Sequence, residues 1–157
     1  MLRQLELADM DAASRVHRAA FDRALPTLAG LHTPDEDRWL YRERVFGICE
    51  VWGAFDGTGM TAVLAFREGW IDQRAVYGAT TRRGHSALLQ VAQNAFDRLQ
   101  LWTFQCDGPA RRFYEARGFT LVRETDGAAN EGGNRTRSIS GCAHKLTTGC
   151  RAAGVFL

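Results

Sequence analysis

The sequence predicts an α+β domain in which a mixed central sheet of about six or seven strands is flanked by about four helices, in the order βααβββαβαβ. Apolar residues alternate along 49–55 and 60–66, and the turn sequence at 56–59 joins these two strands in an antiparallel hairpin. Around residues 88–99 the apolar period becomes that of a helix. A hairpin combined with helical crossovers excludes a strictly alternating parallel fold, and 157 residues suffice for one hydrophobic core.

The first half begins with a short strand at 3–7, followed by a helix for which Asp9 is a suitable cap. A second helix is predicted at about 34–45, because Thr33 and Glu36 have the spacing of a capping box and a proline occupies the first helical position. The hairpin follows this helix pair directly.

The second half interleaves strands and helices. A strand is predicted at 70–77, although polar residues interrupt its apolar pattern. The most regular helix follows Gly84, with an apolar face formed by Leu88, Ala92, Ala95 and Leu99. The remaining elements are a strand at 101–106, a helix that opens at Gly108 and ends at Gly118, and a strand at 119–123.

The chain changes character after Thr125. Residues 126–140 are rich in Gly, Asn, Ser and Arg and show almost no apolar periodicity. We therefore expect one recognisable domain over 1–125 and an atypical C-terminal tail over 126–157, with 138–146 as the one further strand that the tail could form.

The composition excludes two classes of partner. Twenty Lys and Arg against 18 Asp and Glu give a formal charge of +2, without the basic excess of proteins that wrap nucleic acid. We therefore expect no nucleic-acid partner. No stretch approaches the ~18 apolar residues of a membrane helix and the N-terminus lacks the form of a signal peptide, so we expect no membrane and a cytoplasmic location.

The four cysteines show neither CxxC nor metal-ligand spacing with the histidines, so we expect reduced thiols and no metal.

A first candidate site is the segment 82–86, which reads Arg-Arg-Gly-His-Ser and lies between a predicted strand and the most regular helix. The first N–H groups of a helix lack internal partners and its dipole adds partial positive charge, so this junction can hold a phosphate group. Arg82 and Arg83 add fixed charge. The spacing alone also fits an ordinary polar loop with a glycine turn.

A second candidate site is the predicted helix over 107–119. By itself this segment also fits an amphipathic surface helix in which Tyr114 is a half-buried packing residue. Its pattern is formed by Ala110, Phe113, Tyr114, Gly118 and Phe119. In this spacing, and placed after the phosphate turn, helix and strand, it resembles the GNAT superfamily of acyl-CoA-dependent N-acetyltransferases. The resemblance covers about residues 2–124 and implies acetyl-CoA as co-substrate.

The resemblance also implies roles for individual residues. Val76 corresponds to the strand position that pairs with the pantetheine arm, and Asp107 stands where the family has an Asn at the cofactor site. The residues implied at the coenzyme A pyrophosphate are Arg82, Arg83, Gly84, His85 and Ser86. Tyr114 is implied as the general acid, which suits its chemistry because a phenol with a pKa near ~10 can protonate a departing thiolate of pKa ~8.5.

Two further sets of residues are candidates for the acceptor side. The attacking amine must be neutral, and Asp72, Glu50 or a chain of water molecules could take its proton. The aromatic residues Trp39, Tyr41 and Trp70, with acids near 35–37, suit a cationic small-molecule or peptide amine. A solvated capping turn explains the same acids.

The sequence departs from the family pattern at several places. Thr81 stands at the usual Gln or Arg, the turn is one residue shorter, and Arg74 and Ala75 replace apolar or aromatic residues. The first hypothesis is therefore an N-acetyltransferase that moves acetyl from acetyl-CoA to a primary amine by direct attack. The alternative is a degenerate module of the same fold that binds acyl-CoA or a partner protein without catalysis. A homodimer is a possible assembly for either.

Overall fold

The computed structural model describes residues 1–77, 82–126 and 136–142, without the side chains of 82–85, 136–137 and 142. The strands are β1 (Leu2–Gln4), β2 (Glu50–Asp56), β3 (Gly59–Arg67), β4 (Trp70–Val76), β5 (Arg98–Phe104), β6 (Thr120–Glu124) and β7 (Thr136–Cys142). The helices are α1 (Met10–Ala24), α2 (Pro34–Trp39), α3 (Phe46–Ile48), α4 (Arg82–Ala95) and α5 (Gly108–Glu115). The strands form one seven-stranded sheet in the order β1-β2-β3-β4-β5-β7-β6. The predicted α+β class with a mixed sheet is confirmed.

Strands β1 to β4 form an antiparallel half-sheet. The predicted hairpin pairs β2 with β3, from Glu50 opposite Phe66 to Asp56 opposite Gly59. Gly59 adopts a φ of 127°, a backbone conformation that would be strained in a residue with a side chain. All residues of β3 from 61 to 66 are buried. Strand β3 is therefore the centre of the molecule, covered on both faces.

The helices cover the two faces of the sheet separately. On one face, α1 and the helical segment after α2 pack against the sheet through Met10, Val16, Tyr41, Val45, Val51, Val63 and Ala75. On the other face, α4 and α5 pack through Leu64, Phe66, Ile71, Leu88, Leu89, Leu99, Leu101, Tyr114 and Phe119. Each buried large apolar side chain stabilises the fold by roughly 1.5–3 kcal/mol, so both faces hold helices in fixed positions.

The predicted second helix is present but is not a uniform α-helix. Its capping box forms as expected, because Thr33 Oγ1 accepts from the Glu36 N–H at 3.3 Å and the Glu36 carboxylate accepts from the Thr33 N–H at 2.6 Å. After α2 the chain winds one wider, π-helical segment over Leu40–Val45 and continues into α3. This segment buries Tyr41 and Val45 against α1.

The predicted boundary between α4 and β5 was wrong by several residues. Leu99 shares the helical period of Leu88 and Ala92, but α4 ends at Ala95 and Leu99 lies in β5, where it pairs with Gly141. Leu99 and Leu101 are both buried on one face of β5. The sequence here satisfies both the helical and the strand period, and pairing with a neighbouring strand decides between them.

Strand β7 is the further strand that the sequence indicated within 138–146. It runs over Thr136–Cys142 and lies between β5 and β6, antiparallel to both. The remainder of that predicted strand, residues 143–146, lies outside the described residues, as do 127–135 and 147–157. Ile139 is buried against the same core as α4 and α5, so residues 136–142 belong to the same sheet as the rest of the chain.

Replacing Gly141 with alanine tests the position of β7. A Cβ at Gly141 would lie 2.7 Å from ring atoms of Phe119, which is itself buried. We expect Gly141→Ala to lower the free energy of unfolding by about 1–3 kcal/mol, because the Phe119 ring must move within a packed core. Chemical denaturation followed by circular dichroism measures the change.

The matched control is Gly47→Ala. Gly47 lies in α3 and a Cβ there meets no atom within 4 Å, so we expect this change to be neutral or to stabilise the protein by roughly 0.4–1 kcal/mol. Equal effects of the two substitutions would contradict the packing of β7 against Phe119.

Candidate active site

Strands β4 and β5 run parallel and diverge from their first residues. Their register consists of one pair, Trp70 opposite Gln100, and the Gln100 N–H donates to the Gly69 carbonyl at 2.8 Å. Within the described residues, no further pair joins 71–76 to 101–104. Beyond Trp70, the edge of β4 that faces β5 therefore has no strand partner among the described residues, and its backbone groups require hydrogen-bond partners. We call this gap between β4 and β5 the slot.

A β-bulge lies near the narrow end of this slot. Ala65 pairs with Gln73 and Phe66 pairs with Ile71, so Asp72 is an extra residue with no partner in β3. Bulges of this kind bend a strand and redirect a side chain, and they are common beside active sites. In the sequence, the polar interruption of this strand is the one sign of the bulge.

The Asp72 carboxylate is held by its neighbours. Arg67 donates to it from Nε at 2.8 Å and from Nη2 at 3.2 Å, and the Cys49 thiol donates to it at 3.5 Å. Burial, together with the carboxylate, raises the pKa of Cys49 to about 12, so this thiol stays protonated near neutral pH. Both oxygens of Asp72 therefore already accept hydrogen bonds from a guanidinium.

Tyr114 lies on α5 on the opposite face of the sheet from α1. The Asp107 carboxylate caps this helix by accepting from the Ala110 N–H at 3.0 Å, and Gly118, with a φ of 78°, ends the turn after it. The Tyr114 side chain is only 3 % exposed and makes edge contacts with Phe113 and Phe119. Burial raises the pKa of its phenol above the ordinary value near 10, so the hydroxyl stays protonated at neutral pH.

Arg74 joins β4 to the helix that follows β5. Its guanidinium carbon lies 3.8 Å from the centroid of the Phe113 ring and 5.4 Å from that of Tyr114. Its positive charge opposes part of the effect of burial on the pKa of the Tyr114 phenol. In the sequence, Arg74 stands out only as a charged residue at a position where the family has apolar or aromatic residues, and its contact with α5 appears only in the structure.

The first turn of α4 lies at the far end of β4. Arg82, Arg83, Gly84 and His85 form this turn, and their side chains lie outside the described residues. Ser86 follows, and its Oγ accepts from Arg117 Nη2 at 2.5 Å, while Arg117 Nη1 donates to the Phe113 carbonyl at 2.8 Å. Arg117 thus fixes the start of α4 against the end of α5.

Val76 is the last residue of β4 and pairs with Ala62. Its half-buried side chain packs on the same core as Tyr114. The residue therefore lies on the slot between the bulge and the first turn of α4. Glu50, at the start of β2, is exposed and lies opposite Phe66 in the hairpin.

The three aromatic residues predicted for the acceptor side occupy different environments. Trp39 is 57 % exposed, whereas Tyr41 is fully buried, with its hydroxyl 2.9 Å from His17 Nδ1. Trp70 lines a groove of about 310 Å³ together with Asp72 and Trp102. The structure thus brings Trp70 and Asp72 together. The Tyr41 hydroxyl instead contacts His17 within the helix layer, by which we mean α1 and the segment Leu40–Val45 on one face of the sheet.

No family model matches the chain, and no curated protein matches it in sequence. Solved structures match it in fold. A GCN5-related N-acetyltransferase from Rhodopseudomonas palustris has a TM-score of 0.68 at 12% identity, with 90% of this chain and 94% of that chain covered. The ribosomal-protein-S18-alanine N-acetyltransferase from Escherichia coli has a TM-score of 0.67 at 16% identity, covering 97% and 99%. The PaiA N-acetyltransferase from Thermoplasma acidophilum, in complex with coenzyme A, has a TM-score of 0.64 at 16% identity, covering 90% and 98%.

The chain has the GNAT fold. The sequence resemblance rested on the segment around Tyr114 and on the order of the elements, and the structural matches span at least nine-tenths of this chain. At these identities the matches show the fold alone. The activity must therefore be argued from the residues of this chain.

No helix in the described part of the chain is both long and apolar enough to cross a membrane. In the same residues, no three His, Cys, Asp or Glu side chains are grouped as ligands of a metal ion. Cys49 and Cys106 are free thiols.

His17 provides a test of the helix layer behind the site. Burial lowers its pKa from 6.5 to about 4, so between these pH values the unfolded chain binds a proton that the folded chain does not. We expect stability to fall as the pH drops from about 6.5 to 4, by up to about 3 kcal/mol from this residue, and to change no further below that. Urea unfolding across this pH range measures the loss.

The control is His17→Gln, which can keep a hydrogen bond to Tyr41 but cannot titrate. This variant should lose stability less steeply than the wild type over the same pH range. Parallel curves for the two proteins would contradict a buried neutral His17.

Proposed function

We propose that the protein transfers an acyl group from an acyl-CoA thioester to a primary amine. The observation that carries this proposal is the slot between β4 and β5, with the protonated Tyr114 on the helix beside it and the first turn of α4 at its end. A linear donor with amide groups in its arm can satisfy the unpaired edge of β4. The fold neighbour from Thermoplasma acidophilum was solved with coenzyme A, which supports the same ligand here.

The donor would lie along β4, with its pantetheine arm beside the backbone of Val76. Its pyrophosphate would then meet the first turn of α4, formed by Arg82, Arg83, Gly84, His85 and Ser86. N–H groups at a helix N-terminus bind anions, and the two arginines add charge. Asp107 would support the donor site indirectly, because its cap fixes the helix that carries Tyr114.

The chemistry proceeds by direct attack. The amine nitrogen forms a bond to the thioester carbonyl carbon, the carbon–sulfur bond breaks, and the departing sulfur takes a proton from the Tyr114 hydroxyl. The proton released by the amine leaves to a base and solvent returns one to Tyr114, so charge and atoms balance. A phenol whose pKa lies above 10 stays in the acid form that this step needs.

Removal of the amine proton falls to Glu50 or to water rather than to Asp72. Both Asp72 oxygens accept from Arg67, so we assign this carboxylate the positioning of the bulge. Glu50 is exposed at the start of β2 and can exchange protons with solvent.

The acceptor amine would enter from the side of Trp70 and Trp102. These indole rings line the same groove as Asp72 and its ion-pair partner Arg67, and aromatic faces attract cationic amines. Trp39 is exposed on α2 and would extend this side, while Tyr41 would support it from within the helix layer. The class of acceptor is a small-molecule or peptide amine, and the compartment we propose is the cytoplasm.

Tyr114→Phe tests the proposal most directly in an assay of thiol release. With acetyl-CoA and a panel of small amines, aminoglycosides and peptides, we expect the wild type to release coenzyme A and Tyr114→Phe to lower kcat by about 10²–10³-fold. Isothermal titration should give the same affinity for coenzyme A within about twofold, because the phenol acts on the leaving sulfur and not on binding.

Two outcomes would contradict this proposal. Unchanged kcat in Tyr114→Phe would remove Tyr114 as the acid. Binding of acetyl-CoA by the wild type without thiol release for any amine would instead favour a non-catalytic acyl-CoA-binding module of the same fold.

A further inference from the structure

Two arginines lie over one aromatic ring beside Tyr114. The guanidinium carbons of Arg74 and Arg117 lie 3.8 and 3.7 Å from the centroid of the Phe113 ring. We call Arg74, Arg117 and Phe113 the arginine cluster. The pKa of Arg117 is lowered, first by burial and second by the positive charge of Arg74 nearby.

Several other arginines in the described residues form salt bridges with carboxylates. Such pairs are formed by Arg3, Arg18, Arg38, Arg42 and Arg67. Within the same part of the chain, no carboxylate forms a salt bridge with Arg74 or Arg117. Like charges brought together at a half-buried position are unfavourable unless an anion joins them.

The two arginines differ in the donors they have left. Arg117 already donates to the Phe113 carbonyl and to Ser86. Arg74 lies over the Phe113 and Tyr114 rings, and its Nε is buried and has no hydrogen-bond partner among the described residues. A buried N–H without a partner is costly, and it is relieved when a ligand supplies an acceptor.

The location of Arg74 indicates which part of the donor it meets. It lies on β4 two residues beyond the bulge at Asp72 and contacts the phenol that we propose to protonate the sulfur. The phosphates of the donor would lie past Val76, at the first turn of α4. A group held by Arg74 therefore belongs to the acyl end of the donor.

We propose that the acyl group of the donor carries a carboxylate, as in succinyl-CoA or malonyl-CoA, and that Arg74 binds that carboxylate. This inference rests on the proposed acyl transfer and names its donor class. A guanidinium stacked on a ring presents its N–H edge to a planar carboxylate, which accepts two hydrogen bonds from it. An acetyl group offers no such partner and leaves the buried N–H groups unsatisfied, which is the condition under which a site rejects the shorter analogue.

The test compares donors on three proteins. Isothermal titration and thiol release are measured with succinyl-CoA, malonyl-CoA, acetyl-CoA and free coenzyme A for the wild type, Arg74→Met and the control Arg123→Met. Arg123 lies exposed on β6, away from the slot. We expect the wild type and the control to favour a carboxylate-bearing donor over acetyl-CoA by at least about tenfold in affinity and in kcat/KM.

The Arg74→Met variant should lose that preference while keeping its affinity for free coenzyme A within about twofold. If this variant proves unstable in thermal melts, Arg74→Lys replaces it, and we expect Lys to keep part of the preference because it keeps the charge without the planar edge.

Three outcomes would overturn the inference. Equal or tighter binding of acetyl-CoA by the wild type would do so while leaving acyl transfer intact. An equal loss of affinity for free coenzyme A and succinyl-CoA in Arg74→Met would assign the arginine to a phosphate instead. Failure of the wild type to bind any of these thioesters would overturn both this inference and the proposed function.

Discussion

The separation of β4 from β5 is the constraint on which the candidate site depends. One backbone pair, Trp70 with Gln100, holds the two parallel strands together, and beyond it the edge of β4 lacks a strand partner among the described residues. The antiparallel half-sheet holds β4 from one side and β7 holds β5 from the other. Both strands that border the gap are therefore held in the sheet by their other neighbours.

The side chains around this opening have opposite electrostatic roles on the two faces. On the α5 face, the buried phenol of Tyr114 stays protonated, and Arg74 and Arg117 lie over the neighbouring Phe113 ring with no salt bridge to a carboxylate among the described residues. On the other face, the Asp72 carboxylate lies in a groove with Trp70. In the reaction that we propose, the anionic donor would lie beside the arginines and the amine would approach from the groove on the other face.

The sequence predicted the order of elements and the helix that carries Tyr114, because glycine turns, capping residues and apolar periods are local signals. Leu99 was misplaced because it satisfies two periods, and only its pairing with Gly141 decides between them. Strand β7 gave a weak signal because Ile139 is its one large apolar residue. The contact of Arg74 with α5 joins residues about 40 positions apart and depends on how helix and strand pack, which no local pattern encodes.

Hydrogen exchange of the β4 backbone, followed by mass spectrometry or NMR, tests the open slot most directly. The account predicts that the amides within 72–76 that face β5, unlike those bonded to β3, exchange faster than the amides of the central strand β3 in the free protein. The same amides should become protected when an acyl-CoA thioester is added. If the amides that face β5 are already as protected as those of β3 without a ligand, and do not change when the thioester is added, the slot is not the donor site.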